Sequence, residues 1–356
     1  MAERFLILSP DARYLDDGVV ERAVAGAEFG LSIHRETDHL KLPAEDVARC
    51  DGLLVWNTMP IDAALIARLE SCRMISRAGV GFDHIDLQAA GAAGIPVSNT
   101  PDYGTAEVAD HAIALMLALK RGLVSYHEAI VADPVGGFSF RKADNVNRLR
   151  GLRFGVIGLG RIGTAAALRA KAFGMEVVAY DPYLPSGQEL ALDVRRSNSL
   201  EVLAAESDVV SCHTPLNAET RGLVGRDLLR AMKPTAILIN TSRGAVVDVE
   251  AVTLALKERW IAAAGLDVLP QEPPDPAWPL IRAYREQADW ARGRLILTPH
   301  AAWYSPESQE DARRLSTETL VMYLKTGQLR NCVNAEYLDE ARPPDFRRSP
   351  EAVQAS

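Results

Sequence analysis

Three polar side chains that can do chemistry follow short apolar runs in the second half of this 356-residue chain. They are Arg243, Glu272 and His300. Apolar runs of this length are typical of buried β-strands, and their alternation with helical patterns favours a parallel sheet. Because ligands bind outside the carboxyl ends of the strands in open α/β sheets, we expect the three side chains to converge on one crevice.

The three residue types suit the carbonyl chemistry of a 2-oxo acid beside a hydride donor. Arg243 can hold a carboxylate in a fork and polarise the adjacent carbonyl. His300 can pass a proton to the carbonyl oxygen, and Glu272 can orient the imidazole and stabilise its protonated form. Each residue also has a simpler interpretation: a surface ion pair for Arg243, a solvated loop side chain for Glu272 and a structural core histidine for His300.

A glycine-rich turn predicts a dinucleotide site between an apolar strand at 153–157 and a helix. The turn reads GLGRIG and places Gly158, Gly160 and Gly163 in the order G-x-G-x-x-G. The first glycine permits the tight turn, the second permits close approach of a pyrophosphate, and the third permits contact between helix and strand. The start of the helix offers free N–H groups and a positive dipole to the phosphates.

The identity of the nucleotide follows from the next strand, predicted at 176–180, because it ends at Asp181. An acid at this position accepts hydrogen bonds from the ribose hydroxyls of NAD and repels the extra phosphate of NADP. A lone glycine pattern also occurs in ordinary turns, but the order strand, turn, helix, strand and acid favours nucleotide binding. The sequence therefore predicts NAD as the cofactor.

The rest of the chain predicts a second α/β domain and its connections. Strand candidates at 5–8, 52–56, 74–76 and 95–98 alternate with helical patterns and carry no nucleotide motif. Further expected elements are strands at 208–211, 236–240, 262–266 and 295–298, helices at 105–121 and 305–327, an irregular region with one helix at 122–150, and a loop with one short helix at 270–293.

Composition excludes several classes of function. Lys+Arg 39 against Asp+Glu 47 gives a net charge of −8, so nucleic acid and anionic membranes are not expected partners. No signal-peptide pattern or membrane-spanning run occurs, and the four cysteines form no C-x-x-C pair. We therefore expect a cytoplasmic protein with reduced thiols and no metal site.

Along residues 5 to 335 the chain resembles the NAD-dependent D-isomer-specific 2-hydroxyacid dehydrogenases. The matching segments are RAGVGFD (77–83), NTP (99–101), VAD (108–110), GLGRIG (158–163), HTPL (213–216), NTSRG (240–244), GLDV (265–268) and PH (299–300). Within this family, PHAAWYS (299–305) and NCVN (331–334) are most similar to the C-terminal-binding-protein branch.

The resemblance implies two Rossmann/flavodoxin-like domains with parallel sheets and an active site in the interdomain cleft. The substrate-binding domain would comprise 1–100 and 305–335, the NAD-binding domain 101–304, and 338–356 would be a loose tail. Arg243, Glu272 and His300 match the catalytic arginine, glutamate and histidine of the family. The residues expected at the cofactor are Thr105, Gly158, Gly160, Arg161, Ile162, Gly163, Asp181, His213, Thr214, Pro215, Thr241, Ser242 and Asp267. A homodimer through the 101–150 region is expected by analogy.

Four residues are expected at the substrate: Val80 and Gly81 through their backbone N–H groups, and Asn57 and Trp303 around its tail. Asn57 stands where many family members have Arg or Ser, and the missing cation argues against a strongly charged, phosphorylated tail. The bulky indole of Trp303 favours a 2-oxo acid with a small or apolar tail. Two other functions stay open. One is an NADH-sensing, corepressor-like binding protein with little turnover, to which Trp303 points. The other is oxidation of formate or phosphite, disfavoured because a glutamate partners His300 and the pocket loop has no lysine.

Overall fold

The computed structural model describes residues 5–338. The predicted tail, 338–356, lies outside the described residues except for Leu338. The strands are β1 Phe5–Ser9, β2 Phe29–Ile33, β3 Gly52–Val55, β4 Met74–Arg77, β5 Val97–Ser98, β6 Arg153–Ile157, β7 Glu176–Tyr180, β8 Arg195–Arg196, β9 Val209–Cys212, β10 Ile237–Asn240, β11 Ala263–Leu266 and β12 Leu295–Leu297. The α-helices are α1 Val19–Ala25, α2 Ala44–Arg49, α3 Ala63–Ile66, α4 Leu87–Ala92, α5 Thr105–Lys120, α6 Leu123–Ala132, α7 Arg161–Ala172, α8 Gln188–Ala191, α9 Leu200–Glu206, α10 Arg226–Ala231, α11 Val249–Lys257, α12 Pro279–Arg285 and α13 Pro306–Thr326.

The chain forms two compact units, which divide between Gly104 and Thr105 and again between Tyr304 and Ser305. In the first unit five parallel strands lie in the order β2-β1-β3-β4-β5. The last helix, α13, packs on β3 and β4 of this unit. Gly52 permits that contact, because a Cβ there would come within 2.8 Å of Leu320 Cδ1.

The second unit contains a seven-stranded parallel sheet in the order β12-β11-β10-β9-β6-β7-β8. The chain starts in the middle at β6, continues to β7 and β8 on one side, and then crosses to β9 on the other. Ligands of open α/β sheets bind at such a reversal of strand order. Helix α5 packs against α7, β10 and β11, so it belongs to the core of this unit.

The predicted class, α/β with parallel sheets in two domains, is confirmed. Two strands, β2 and β8, were not predicted, because neither contains a continuous apolar run. In β2 the apolar residues are separated by Gly30 and Ser32. β8 consists of Arg195 and Arg196 alone, which no hydrophobic pattern reveals. None of the described helices is long and apolar enough to cross a membrane.

Candidate active site

The structure brings His300 and Glu272 into direct contact within the second unit. His300 Nδ1 lies 2.6 Å from Glu272 Oε2, and Glu272 Oε1 accepts the Leu269 N–H at 3.0 Å. Partial burial opposes ionisation of Glu272, but the hydrogen bond and charge of His300, the Leu269 N–H and the charge of Arg243 outweigh it. The pKa of Glu272 is therefore held below its ordinary value. The pair can hold a proton on the imidazole beside an ionised carboxylate.

The backbone at His300 adopts a left-handed conformation, with φ of +53°. Its N–H donates to the Asp267 carbonyl at 2.8 Å. The Asp267 carboxylate, which has no exposed surface, accepts the Ala301 N–H at 2.9 Å and the Ala302 N–H at 3.0 Å. A non-glycine residue keeps such a conformation only where its surroundings impose it, and here Asp267 does so.

Arg243 is placed by a turn that Asn240, fully buried at the end of β10, organises. Asn240 Oδ1 accepts the backbone N–H and the hydroxyl of Ser242 at 3.0 and 2.8 Å, and Asn240 Nδ2 donates to the Arg243 carbonyl at 3.0 Å. The next residue must be glycine, because a Cβ at Gly244 would lie 1.9 Å from the carbonyl carbon of Leu269. This close approach joins the loop of Arg243 to the loop of Glu272.

The glycine turn after β6 has the geometry that a dinucleotide needs. Gly158 has φ of +90°, and a Cβ at Gly163 would lie 2.0 Å from the Gly158 carbonyl oxygen. A Cβ at Gly160 would meet no described protein atom within 4 Å, so the protein itself does not require glycine there. A ligand that approaches the backbone at Gly160 explains its absent side chain, as a pyrophosphate would. Arg161 and Ile162 are the first two residues of α7, beside this open space.

Asp181 lies directly after β7 and is held by two backbone groups. Its Oδ2 accepts the Leu159 N–H from the glycine turn at 2.9 Å, and its Oδ1 accepts the Tyr183 N–H at 2.9 Å. Arg196 donates to the carbonyl oxygens of Asp181 and Leu184 at 3.4 and 3.3 Å. The carboxylate is thus fixed next to the glycine turn, and a guanidinium lies near it.

Two threonines predicted at the cofactor have buried hydroxyls without a hydrogen-bond partner among the described residues. They are Thr214 Oγ1 and Thr241 Oγ1. Such orphaned groups are rare unless a ligand satisfies them, so they fit a bound dinucleotide.

His213, also expected at the cofactor, is neutral at pH 7. Its Nε2 lies 2.9 Å from Ser211 Oγ, and burial lowers the pKa of His213 to about 4. Pro215 follows Thr214 directly, and Thr105 is the first residue of α5.

Asn57, Val80 and Gly81 lie in the first unit, after β3 and β4. Asn99 Nδ2 donates to the Val80 carbonyl at 2.7 Å, and Arg77 Nε donates to the Gly81 carbonyl at 2.9 Å, so the loop is fixed. Trp303, in the second unit, meets Tyr304 edge to face with ring centroids 5.7 Å apart.

Two residues that the sequence analysis missed adjoin Asn57. Asp11, buried after β1, accepts the Trp56 N–H at 2.8 Å and the Thr58 N–H at 3.0 Å and so shapes the loop that carries Asn57. Arg13 donates to Asn57 Oδ1 at 3.1 Å. A cation therefore does lie at Asn57, and the lack of a charged residue at position 57 no longer argues against an acidic tail. Both residues follow a strand end, which is the signal that identified Arg243 and His300.

No group of His, Cys, Asp or Glu within residues 5–338 is arranged to hold a metal ion.

Comparison with known proteins extends these observations over most of the chain. The model of the NAD binding domain of D-isomer specific 2-hydroxyacid dehydrogenases matches residues 113–302. A glyoxylate reductase of Korarchaeum cryptofilum is 40% identical over 309 residues, 86% of this chain and 89% of that protein. The crystal structure of a glyoxylate reductase from Paecilomyes thermophila has a TM-score of 0.80 at 28% identity, covering 93% of this chain and 99% of its own. An NADPH-dependent glyoxylate/hydroxypyruvate reductase from Sinorhizobium meliloti, in complex with NADP and malonate, has a TM-score of 0.77 at 31% identity, covering 94% and 98%.

Proposed function

The chain belongs to the D-isomer specific 2-hydroxyacid dehydrogenase family, and we propose that it interconverts a small 2-oxo acid and its D-2-hydroxy acid with NADH. The observation that carries the proposal is the 2.6 Å contact between His300 Nδ1 and Glu272 Oε2. An imidazole bound to a carboxylate in this way is a general acid with a fixed orientation, and it lies beside the loop of Arg243.

The roles of the three side chains follow from their chemistry. Arg243 binds the substrate carboxylate and polarises the neighbouring carbonyl. His300 donates a proton to the carbonyl oxygen, and Glu272 keeps the imidazole oriented and stabilises its positive charge. NADH, bound at the glycine turn after β6, supplies the hydride. Val80 and Gly81 bind the carboxylate through backbone N–H groups, and Asn57 and Trp303 surround the tail.

The cofactor is NAD rather than NADP in this proposal, because an acid directly after the second strand of the nucleotide unit, here Asp181, accepts from the ribose hydroxyls of NAD and repels the extra phosphate of NADP. Thr214, Thr241 and the N-terminus of α7 contribute the remaining polar contacts, together with Thr105, Arg161, Ile162, His213, Pro215, Ser242 and Asp267. The reductase from Sinorhizobium meliloti is NADPH-dependent, so the preference is a property of individual family members and needs its own measurement.

The test is NADH oxidation with glyoxylate, hydroxypyruvate, pyruvate and 4-methylthio-2-oxobutyrate. At least one should be reduced, and Arg243→Ala and His300→Ala should each slow that reaction by about 10²- to 10⁴-fold. Arg221→Ala, an exposed arginine of the same unit, is the matched control and should act like the wild type. If no 2-oxo acid reacts faster with the wild type than with Arg243→Ala, the proposal is wrong.

The alternative function is an NADH-sensing binding protein similar to the C-terminal-binding corepressors. The resemblance of segments 299–305 and 331–334 supports it. NADH binding without turnover of any substrate, together with specific binding of a peptide partner, would favour it over the dehydrogenase.

The protein is also proposed to be a homodimer that associates through the 101–150 region. No residue of α6 is buried, and Phe138 and Phe140 in the following segment are 81% and 79% exposed. Apolar side chains exposed together mark a surface that another protein covers. Light scattering should give twice the monomer mass for the wild type and for the control Phe173→Ser, and the monomer mass for the double variant Phe138→Ser, Phe140→Ser. A monomeric wild type, or a dimeric double variant, would contradict this interface.

A further inference from the structure

His111, on α5, is joined by hydrogen bonds to the loop that carries His300. His111 Nε2 lies 3.0 Å from Thr298 Oγ1, and Thr298 Oγ1 lies 2.6 Å from Asp267 Oδ1. Nε2 is also 3.6 Å from the same carboxylate oxygen. Neither His111 nor Thr298 has a predicted role in the reaction.

The direction of these bonds follows from counting hydrogens. An ionised carboxylate only accepts, so the single hydroxyl hydrogen of Thr298 is donated to Asp267. The Thr298 oxygen must then accept from His111, so His111 Nε2 carries a hydrogen. The order of donation is His111 to Thr298 to Asp267.

Asp267 transmits this support to the backbone on both sides of His300. Besides the Thr298 hydroxyl, its carboxylate accepts the N–H groups of Ala301 and Ala302, and its carbonyl accepts the N–H of His300. These bonds maintain the left-handed φ of +53° at His300. Without the hydroxyl, Oδ1 loses its shortest bond and the carboxylate can turn away from the two N–H groups.

We propose that His111 and Thr298 are positioning residues that hold His300 in its reactive orientation through Asp267. The consequence for rate rests on the dehydrogenase function proposed above, because it requires that His300 donate the proton. A displacement of a reacting group by about 1 Å can lower a rate by about 100-fold. The loss should therefore appear mainly in kcat. KM for NADH should change less, because the glycine turn after β6 and Asp181, which hold the rest of the dinucleotide in the proposed function, keep their own contacts.

The kinetic test compares Thr298→Val and His111→Phe with the conservative variants Thr298→Ser and His111→Gln. Thr253→Val is the matched control, because it removes the hydroxyl of another threonine of the same unit, one that donates to the Val249 carbonyl at 2.8 Å. Thr298→Val and His111→Phe should lower kcat by about 10- to 100-fold with a small change in KM for NADH. Thr298→Ser and His111→Gln should recover most of the loss, and the double variant should be no slower than the slower single one. Equal kcat for Thr298→Val and Thr253→Val, or no recovery in the conservative variants, would overturn the proposal.

Hydrogen exchange measured by mass spectrometry tests the positioning without turnover. In Thr298→Val, peptides that span residues 298–304 should exchange faster than in the wild type and in Thr253→Val, because the N–H groups of Ala301 and Ala302 lose their fixed acceptor. Unchanged exchange would refute the positioning role even if the dehydrogenase activity is found. Faster exchange in a protein that reduces no 2-oxo acid would support the positioning role and refute the proposed function.

Discussion

Glu272 Oε2 lies 2.6 Å from His300 Nδ1, although 28 positions separate the two residues in the sequence. The contact arises because β11 and β12 are parallel neighbours, so the loops that follow them leave the same edge of the sheet. With Nδ1 bound to Glu272, His300 Nε2 is the nitrogen that can reach a substrate. This division of the two ring nitrogens determines what a neutral residue at position 272 would change.

Replacing Glu272 with Gln should slow reduction. The Glu272 carboxylate, whose pKa is held below its ordinary value, accepts a hydrogen bond from His300 Nδ1 at 2.6 Å and places a negative charge beside the imidazole, whereas a neutral amide has no such charge. The kcat of reduction should therefore fall by about 10²-fold. Steady-state kinetics measures this, with Glu286→Gln, an exposed glutamate of the same unit, as control. An unchanged kcat in Glu272→Gln would show that Glu272 does not assist the proton transfer.

Replacing Asp181 with Asn should relax the cofactor preference. Asparagine can still accept the Leu159 N–H, which the wild-type carboxylate accepts at 2.9 Å, but it has no charge to repel a phosphate. Arg196, which donates to the Asp181 carbonyl at 3.4 Å, supplies a cation next to this position. The ratio of kcat/KM for NADPH to that for NADH should rise by about tenfold or more. The control Asp193→Asn replaces an exposed acid of the same unit and should leave this ratio unchanged. An unchanged ratio in Asp181→Asn would show that Asp181 does not determine the cofactor preference.

Arg13 should affect substrates according to their tails. Its guanidinium donates to Asn57 Oδ1 at 3.1 Å, so it lies next to the residue proposed to contact the tail. Arg13→Ala should lower kcat/KM for hydroxypyruvate by about tenfold, whereas glyoxylate, which has no tail, should be reduced at the wild-type rate. Arg22→Ala, another exposed arginine of this unit, should change neither. Equal losses of kcat/KM for both substrates in Arg13→Ala would mean that Arg13 supports the loop of Asn57 and does not contact the substrate tail.

Strand ends and local motifs made much of the fold and the candidate site predictable. Each sheet strand predicted from an apolar run has a counterpart in the structure, and the loops after β11 and β12 bring Glu272 and His300 together. The catalytic roles stay predictions, as do those of the cofactor and substrate residues. Asp11 and Arg13 also follow the carboxyl end of a strand, β1. Polar residues in a loop after a strand are common, so the sequence does not distinguish these two from solvated side chains.

Other features had no local signal in the sequence. Thr298 lies 187 positions after His111, and only the packing of α5 on the sheet joins them. The left-handed backbone at His300 is imposed by Asp267 from another loop, and the residue type does not reveal it. Long-range contacts of this kind depend on tertiary packing, which local pattern and propensity do not encode.

His213 should make the protein less stable in acid. Burial lowers its pKa from 6.5 to about 4, so between these values the unfolded chain binds a proton that the folded chain does not. The free energy of unfolding should therefore fall as pH drops through this window, by at most about 1.4 kcal/mol per pH unit from this residue. Denaturant unfolding between pH 7 and pH 4 should show a shallower fall for His213→Gln than for the wild type. If His213→Gln loses stability as steeply as the wild type, His213 is not the neutral buried imidazole described here.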